Sequence, residues 1–506
     1  MEAFHNDYPP TLSREQLDHI TNTIKDWTIA HGLAVRPPNE FLSSSQDPQG
    51  VAAISAPVTL FPSLFPSRCF SEAIAIQQAY NELYARIAMD EEWLGKIIQE
   101  LVEVDDFIRE LWQIHERVKK DGYVQALQLG LFRSDYMVDI SNNSVPQIKQ
   151  VEFNTISSSF GGLSTQVAAL HKYLFDSQLY NTAHYLNASS LPPNDATTTL
   201  AEGLATAHLT YASKGRKEYP LCVLFVVQEG EKNIFDQRVL EYVLQAKSIP
   251  TFRLSFASTM QHITVTNNTD RVLLYTPAHA PASKFEVSVV YLRSTYTPSD
   301  FISESDWDAR YHLERSAAIK CPSILTHLAG SKKVQQVLAT PSSPYLDKFL
   351  DKEKADQVRK SFTAIYPLDD SEAGRKAKAI AIDSAKCQSY VLKPQREGGG
   401  NNIYRAAIPP FLQSLGDEAK WKGHILMELI EPPPQKNSIF RGGLLKSGEI
   451  ITELGVFGTC LWSSDGQKII YNTNAGYLLR TKGRESEEGG VAAGFGAIDS
   501  VCLVDI

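Results

Sequence analysis

The sequence has 506 residues, of which 43% are hydrophobic and 21% are charged, and its formal net charge is −9. This composition is ordinary for a folded globular enzyme. The length exceeds the size at which one hydrophobic core stops growing, so two or three lobes are expected. The acidic balance argues against a general binder of nucleic acid or of anionic membranes, and any anionic ligand therefore needs a local cluster of Lys and Arg.

The first residues, MEAFHNDYPP, have neither the basic start nor the apolar run of a signal peptide. No stretch approaches the roughly 20 apolar residues that cross a bilayer. The 6 cysteines are scattered and form no CxxC pair, which favours reduced thiols. These features predict a cytoplasmic enzyme.

The first third of the chain has mainly helical patterns. Ser13 and Gln16 form a capping-box pair, and apolar residues then recur at helical spacing as far as Gly32. Residues 71–120 repeat the helical spacing, and Gly122 ends it. We therefore expect a helical N-terminal region.

Strand-like runs follow this region. Residues 147–156 alternate between apolar and polar, residues 221–227 form a continuous apolar run typical of a strand buried on both faces, and residues 285–292 repeat that character. The polar, proline-bearing segment 181–199 predicts a surface connection. A small α/β lobe with a parallel sheet, suited to binding a substrate, is therefore expected over residues 221–325.

The last third alternates candidate strands with glycine-rich segments. The candidate strands are residues 390–392, 425–430, 450–454 and 468–471. The glycine-rich segments are residues 397–402 and 487–494. The sequence thus predicts an α/β (α+β) protein in which residues 1–220 hold the helical region and the first part of a core, residues 221–325 the lobe, and residues 326–506 the rest of the core.

Residues 393–402, KPQREGGGNN, come directly after a short apolar strand. Successive glycines let the backbone approach a ligand closely and point several N–H groups at an anion. Lys393 and Arg396 add positive charge, and Glu397 can hold a divalent metal. The segment lacks the GxxxxGK[ST] pattern of a P-loop. Phosphate binding is favoured, with a flexible surface turn as the alternative.

Glu152 and Asn154 lie near the end of the alternating strand at residues 147–156. Residues two apart on a strand face the same side, so both side chains can share one ligand. Their hard oxygen atoms suit Mg²⁺ better than Zn²⁺. The alternative is a solvated strand edge, but the SSSFGGLS segment that follows is more typical of a binding loop.

Arg133 and Arg293 each follow an apolar stretch of sequence. An arginine at a strand exit can grip a carboxylate with two parallel hydrogen bonds, and the alternative for each is a structural ion pair. Residues 231–237 come after the strand at 221–227, where ligands of open α/β sheets commonly bind. For each arginine alone the structural ion pair is favoured, and the placement of residues 231–237 suggests a ligand site without being specific for one.

Arg480 and Lys482 lead into the small-residue segment 487–494, EEGGVAAG. Cations followed by a glycine-flanked loop are typical of a lid that closes over an anionic substrate. The alternative is a mobile surface loop.

Together these segments resemble the eukaryotic glutathione synthetase family of the ATP-grasp superfamily, in the family's order and over nearly the whole chain after the N-terminal helices. The matching segments are LFRSDYM (131–137), VEFNTISSSFGGL (151–163), EGEKNIFDQR (229–238), LRSTY (292–296), ERSAAIKCPSI (314–324), LAGSKKVQQ (328–336), VLKPQREGGGNN (391–402), ILMELIEP (425–432), TELGVFG (452–458), LLRTK (478–482) and GGVAAG (489–494).

The resemblance implies a role for each matching residue. It implies the metal ligands Glu152, Asn154 and Glu397. It implies contacts to ATP and its metal from Glu152, Lys332, Lys393, Pro394, Gln395, Arg396, Glu397, Gly398, Gly399, Gly400, Asn401, Asn402, Tyr404, Met427, Glu428, Leu429, Ile430, Glu453, Lys482 and Glu488. It implies contacts to a peptide substrate from Arg133, Ile156, Ser157, Ser158, Ser159, Glu231, Lys232, Asn233, Gln237, Arg293, Ser294, Thr295, Tyr296, Arg480, Val491 and Ala492. The implied catalytic cations are Arg133, Lys332, Lys393, Arg480 and Lys482.

The resemblance also implies an ATP-grasp architecture with a glycine-rich lid, a homodimer, and ligation of glycine to γ-glutamylcysteine with ATP and Mg²⁺ through an acyl phosphate. No nucleophilic side chain is needed for this reaction, so no cysteine is expected to be catalytic. Three alternatives stay open: another amine acceptor such as β-alanine or serine, a kinase that stops at phosphoryl transfer, and a regulatory ATP-binding protein without ligase activity.

Overall fold

The computed structural model describes residues 7–43, 45–141, 145–180, 185–213, 215, 218–395, 401–484 and 496–505. Its α-helices are α1 (Arg14–Ala30), α2 (Ser67–Met89), α3 (Glu91–Val102), α4 (Asp106–Asp121), α5 (Gly161–Asp176), α6 (Ala196–Ala212), α7 (Ile234–Ala246), α8 (Thr259–His262), α9 (Glu304–Arg315), α10 (Ile324–Ala329), α11 (Lys332–Ala339), α12 (Leu346–Phe349), α13 (Lys352–Ser361), α14 (Glu372–Ala381) and α15 (Ile408–Ser414).

Its strands are β1 (Ala34–Val35), β2 (Ile54–Ser55), β3 (Val58–Thr59), β4 (Ser63–Pro66), β5 (Leu127–Asp139), β6 (Gln147–Asn154), β7 (Leu221–Val227), β8 (Thr251–Ser255), β9 (Ile263–Val265), β10 (Leu273–Tyr275), β11 (Phe285–Arg293), β12 (Ile319–Cys321), β13 (Ile365–Pro367), β14 (Tyr390–Pro394), β15 (Ile403–Tyr404), β16 (His424–Glu428), β17 (Gln435–Arg441), β18 (Leu444–Ser463), β19 (Lys468–Gly483), β20 (Gly496–Asp499) and β21 (Val501–Val504).

The N-terminal helical pattern begins as the sequence predicts. The capping box of Ser13 and Gln16 is present at the start of α1. The predicted helical run over residues 71–120 is three helices, because Asp90 and Asp105 each cap a new helix with a side-chain carboxylate. Within the described residues, no helix is both long and apolar enough to cross a membrane.

A seven-stranded sheet forms the centre of the molecule, in the order β17-β3-β20-β19-β18-β5-β6, and β17 also pairs with β18. One face of this sheet packs against α2 and carries apolar residues such as Phe153, Tyr136 and Leu454. The other face packs partly against α5 and α6 through Phe457 and Leu478. Where these helices end, this second face becomes polar, and the candidate site lies there.

The six-stranded sheet draws its strands from residues 221–321. The parallel core predicted for this region is present, since β7 pairs in parallel with β8 and β11, and β11 with β12. Strands β9 and β10 extend it by antiparallel pairing. The Leu221–Val227 run is buried on both faces, as its uninterrupted apolar sequence predicts.

A smaller four-stranded antiparallel sheet has the order β13-β16-β14-β15. It has an apolar side formed with α14 and α15 by residues such as Leu392 and Leu426. Its other side packs with Ala339 at the end of α11. This placement brings the end of β14 next to α11 and β6.

Candidate functional site

Polar side chains from four adjacent strands share one face of the central sheet. Asn154 pairs with Arg133 across β6 and β5, and Glu152 pairs with Asp135. On the far side of β5, Asp135 pairs with Gly455 of β18. Directly paired residues in an antiparallel sheet point to the same side, so these groups form one cluster.

The same face continues onto β19. Glu453 of β18 pairs with Arg480 of β19, and the two side chains form an ion pair. Lys482, two residues further along β19, pairs with Ile451 and is half-buried. The alternation predicted for a strand therefore places Arg480 and Lys482 on the face that holds the cluster.

Arg133 lies inside β5, so the prediction from sequence that it follows the end of a strand was wrong. The apolar stretch stops at Phe132, but β5 continues to Asp139, because Ser134 and Tyr136 remain buried on the opposite face. Arg133 itself is 5% exposed. Arg293 is the last residue of β11, at the predicted exit, and is 4% exposed.

Lysines lie beside Glu152. The Nζ of Lys332 at the start of α11 is 3.0 Å from Oε2 of Glu152, and the Nζ of Lys393 donates to the backbone oxygen of Val151 at 3.0 Å. Burial alone would raise the pKa of Glu152, but Lys332, Lys393 and Arg480 hold that pKa well below its usual range. The carboxylate is therefore ionised and available as a ligand at neutral pH.

The donor set near Glu152 fits a hard divalent cation. Glu152 supplies a carboxylate, and the amide nitrogen of Asn154 donates to the backbone oxygen of Arg133 at 3.3 Å and to Asp135 at 3.0 Å. Both amide hydrogens are thus directed into the protein, which leaves Oδ1 of Asn154 as an acceptor. Oxygen ligands of this kind suit Mg²⁺. The third predicted ligand, Glu397, lies outside the described residues, and among those described no group of three or more His, Cys, Asp and Glu is placed to hold a metal.

Two of the three predicted peptide-binding arginines converge on one loop. Arg293 donates from Nη1 to the backbone oxygen of Ser158 at 2.9 Å and from Nη2 to Oγ of Ser159 at 2.7 Å. Arg133 donates from Nη1 to the backbone oxygen of Ser159 at 3.2 Å. Ser157 adds a hydrogen bond to the backbone oxygen of Leu292 at 3.1 Å. The loop after β6 is thereby joined to the end of β11.

Three residues of these loops have a strained backbone. Ser157, Phe160 and Thr295 have positive φ angles of 51°, 75° and 68°. Non-glycine residues in this region cost about 1–3 kcal/mol each and persist only where the surroundings enforce them, most often at ligand sites. Thr295 is fully buried, and its Oγ1 has no hydrogen-bond partner among the described residues.

Residues 231–237 form a connected segment after β7, made of a short loop and the first turn of α7. Gln237 donates to Oε2 of Glu231 at 2.6 Å, and the backbone nitrogen of Asn233 donates to Oε1 of the same carboxylate at 2.7 Å. Asp236 accepts hydrogen bonds from the backbone nitrogens of Phe160 and Gly162, both at 2.7 Å. The first turn of α7 is therefore joined to the start of α5, directly after Ser159.

The remaining predicted peptide contacts lie around the same loops. Ser294 donates to the backbone oxygen of Val226 at 3.2 Å, and the hydroxyl of Tyr296 donates to Gln228 at 3.0 Å. Lys232 is exposed. Ile156 and Tyr296 line a cavity that Lys332 and Gln395 also line, so the peptide-binding and nucleotide-binding predictions meet at this cavity.

The predicted ATP contacts of the four-stranded sheet form a second group. Tyr404 and Met427 flank Val391 on either side of β14, and Glu428 pairs with Tyr390. Leu429 and Ile430 follow β16 and pack with Met427. Asn402 donates to the hydroxyl of Tyr404 at 3.4 Å. These residues lie along one end of the sheet.

The end of β14 connects this group to the central cluster. Lys393 and Pro394 are the last residues of β14, and Gln395 accepts a hydrogen bond from the backbone nitrogen of Lys333 at 3.0 Å. Asn401 and Asn402 precede β15. Predicted site residues outside the described part of the chain are Arg396, Glu397, Gly398, Gly399, Gly400, Glu488, Val491 and Ala492.

Two carboxylates at the centre of these contacts were missed by the sequence analysis. Asp135 is fully buried and contacts Arg133, Arg480 and Asn154. Asp236 is 2% exposed and binds the loop after β6. A signal for Asp135 was available, because a residue two positions from Arg133 in a continuing strand shares its face. Nothing in the local sequence indicates the long-range partners of Asp236.

The fold and these clusters define an α/β protein whose polar site, set between two sheets, is suited to anionic ligands. A family model described as "Eukaryotic glutathione synthase, ATP binding domain" matches residues 14–503. The "Glutathione synthetase large chain" of Schizosaccharomyces pombe is 37% identical over 97% of this chain and 98% of its own length. The "Glutathione synthetase" of Homo sapiens is 38% identical over 96% of this chain and 97% of its own length.

A plant relative and one solved structure extend these comparisons. "Glutathione synthetase, chloroplastic" of Arabidopsis thaliana is 38% identical over 98% of this chain and 88% of its own length. The apo structure of a glutathione synthetase-like effector from Globodera pallida superposes with a TM-score of 0.74 over 98% of each chain at 22% identity, which supports the fold. The chain belongs to the eukaryotic glutathione synthase family.

Proposed function

We propose that this protein is a glutathione synthetase, an ATP-dependent ligase that joins γ-glutamylcysteine to glycine and releases ADP and phosphate. Relatives of that name match nearly the whole chain. The structural observation that supports the proposal best is the placement of Glu152 and Asn154 on one strand face with Lys332 and Lys393 beside them. This arrangement provides metal ligands and phosphate-neutralising cations at one point.

The reaction needs an activated carboxylate. The cysteinyl carboxylate of γ-glutamylcysteine attacks the γ-phosphate of ATP, which gives an acyl phosphate and ADP, and the amine of glycine then displaces phosphate. Both partners in the first step are anions, so catalysis consists mainly of positioning and charge stabilisation. Lys332 and Lys393 offset the polyphosphate charge, while Arg133, Arg293 and Arg480 orient the peptide substrate.

Mg²⁺ is part of this proposal. Glu152 and Asn154 would hold it together with Glu397, and when bound it would neutralise phosphate oxygens during transfer. The side chain of Glu152 is 23% exposed, so it is accessible to a ligand. Its ion pair with Lys332 keeps both charges compensated in the structure.

A homodimer, which the resemblance implies, stays a prediction. A cytoplasmic location and the lobe at residues 221–325, which the sequence patterns indicate, also stay predictions. The choice of amine is a further prediction, because Val491 and Ala492, the residues expected to contact glycine, lie outside the described residues. β-Alanine or serine in place of glycine is the competing acceptor. Mass analysis of the product formed with each amine distinguishes them.

The proposal is tested by Glu152→Gln and Glu397→Gln. Each variant should stay folded, although Glu152→Gln removes the ion pair with Lys332 and should lower the melting temperature. Each should lose Mg²⁺-dependent ADP formation by about 10²–10³-fold, because a charge that stabilises the transition state is removed. Glu449→Gln on β18 is the control, since its side chain is 57% exposed and lies outside the cluster. Near-normal turnover of Glu152→Gln would contradict the metal assignment.

A further inference from the structure

Asp135 accepts hydrogen bonds from three proposed site residues at once. Its Oδ1 accepts from Nε of Arg133 at 2.6 Å, and its Oδ2 accepts from Nη2 of Arg133 at 2.8 Å. The same Oδ2 accepts from Nη2 of Arg480 at 2.9 Å and from Nδ2 of Asn154 at 3.0 Å. The carboxylate is fully buried, so no water competes for these contacts.

We propose that Asp135 is a positioning residue, which sets the orientation of Arg133, Arg480 and Asn154 before any substrate binds. This inference rests on the proposed function, because it assigns Arg133 and Arg480 to the peptide and Asn154 to the metal. Asp135 acts through these three side chains and does not itself touch substrate.

The contact with Arg133 fixes a guanidinium plane. Two parallel hydrogen bonds to one carboxylate hold the group rigidly and leave Nη1 directed to the backbone oxygen of Ser159. Arg133 is thereby pre-oriented at the loop that Arg293 also contacts. A pre-oriented cation loses less conformational freedom when it binds a carboxylate.

The contacts of Asp135 with Arg480 and Asn154 orient these two side chains as well. Arg480 forms ion pairs with Asp135 and Glu453, which lie on neighbouring strands. These two carboxylates offset the repulsion between the positive charges of Arg480 and Arg133. Asn154 directs its nitrogen to Asp135 and its carbonyl oxygen away, which is the orientation a metal ligand requires. One carboxylate thus links the peptide-binding and metal-binding sides of the site.

Gly455 provides the space for this arrangement. A Cβ atom at Gly455 would lie 2.7 Å from Cδ of Arg133 and 2.8 Å from Oδ1 of Asp135. Any larger residue must therefore displace one of these groups. Gly448 on the same strand has nothing within 4 Å of such an atom, so it serves as a matched control.

Asp135→Asn removes the charge and keeps the volume. The amide oxygen fits best at the Oδ2 position, where Arg480 and Asn154 both donate, and the amide nitrogen then faces Nε of Arg133, donor against donor. We expect the KM for γ-glutamylcysteine to rise about 10- to 100-fold, as for loss of a hydrogen bond to a charged group, with a change of less than about threefold in the KM for ATP.

The control is Glu286→Gln, which alters another buried carboxylate. Glu286 lies at the end of β11 away from Arg293 and accepts a hydrogen bond from the hydroxyl of Tyr211 at 2.6 Å. It should lower stability without changing the ratio of the two KM values. In a double-mutant cycle, the effect of Asp135→Asn should largely vanish in an Arg133→Lys background, because the first residue acts through the second.

Crystal structures of wild type and Asp135→Asn provide a readout that does not depend on turnover. The expected result is a rotated Arg133 guanidinium with Arg480 and Asn154 in place. An unmoved Arg133, or equal changes in both KM values, would overturn the inference.

If the wild type itself forms no product, the proposed function fails, and the crystal structures still decide the role of Asp135. Should Asp135→Asn not fold, Gly455→Ala compared with Gly448→Ala should give the same displacement of Arg133 and rise in KM.

Discussion

At the scale of single residues, Arg293 depends on the geometry of its guanidinium group. It binds Ser158 and Ser159 with separate nitrogens, which a lysine with the same charge cannot do. We therefore expect Arg293→Lys to raise the KM for γ-glutamylcysteine about 10- to 100-fold, with little change in the KM for ATP. Steady-state kinetics checks this, with Arg238→Lys, 41% exposed on α7, as the control. Equal KM values in Arg293→Lys and wild type would contradict the assigned role.

Asp499 introduces a pH dependence of stability. Burial raises the pKa of Asp499 to about 6, although Ser63 and Thr481 donate hydrogen bonds to it. Because the folded-state pKa is the higher one, its stabilising contribution is present below the unfolded pKa near 3.9 and is lost as the pH rises through about 6.

The variant Asp499→Asn cannot lose a proton and should therefore gain stability relative to wild type as the pH rises from 4 to 7. The gain should approach about 3 kcal/mol, since one pKa unit corresponds to about 1.4 kcal/mol. Urea unfolding of both proteins at a series of pH values measures it. A difference in unfolding free energy that does not change with pH would refute this prediction.

The sequence predicted that two side chains share one face of a sheet where both residues lie on the same strand. Glu152 and Asn154 share a face because strands alternate with period two, and that part of the prediction needed no partner. The four-strand cluster needed pairing information: Asp135 meets Arg480 only because β5 and β19 both lie beside β18. The register between β5 and β18 joins residues more than 300 positions apart, which local sequence does not encode.

At the scale of elements, α5 begins directly after the proposed substrate loop and packs closely on α7. A Cβ at Gly162 would lie 2.5 Å from Cγ2 of Val239 and 2.8 Å from the backbone oxygen of Asp236. Gly162→Ala should therefore destabilise the protein by about 1–3 kcal/mol and weaken binding of γ-glutamylcysteine.

The melting temperature and titration calorimetry check this prediction. Gly423→Ala is the matched control, because its added Cβ meets only Val104, at an ordinary contact distance of 3.7 Å. A Gly162→Ala protein with the stability and dipeptide affinity of Gly423→Ala would show that α5 does not position the loop.

Sequence patterns located β6, β7, β11, β14, β16, β18 and β19 but underestimated the lengths of the last two. The apolar pieces at 450–454 and 468–471 belong to β18 and β19, of 20 and 16 residues. These strands extend through polar sequence because each supplies hydrogen bonds to the other along its length. The short β3, at Val58–Thr59, gave no signal, since only its pairing with β17 and β20 makes it a strand.

At the scale of the whole molecule, the site is built where separate parts of the chain meet. The central sheet contributes the proposed metal and peptide ligands, and the four-stranded sheet contributes the predicted ATP contacts. Strand β11 of the six-stranded sheet ends at the proposed substrate loop. Lys393 and Gln395 hold the first two sheets together at β6 and α11. The fold class was predicted from sequence, whereas this assembly follows from the resemblance and the structure together.

The most direct test of the account is ADP release by the purified protein with ATP, Mg²⁺, γ-glutamylcysteine and glycine, each omitted in turn, with the product mass read in parallel. We predict that turnover requires all four components and that glutathione is formed. ADP release without glycine, with no peptide product, would show a kinase or a leaking acyl phosphate. The absence of turnover with all four present would contradict the ligase assignment and favour a regulatory ATP-binding protein.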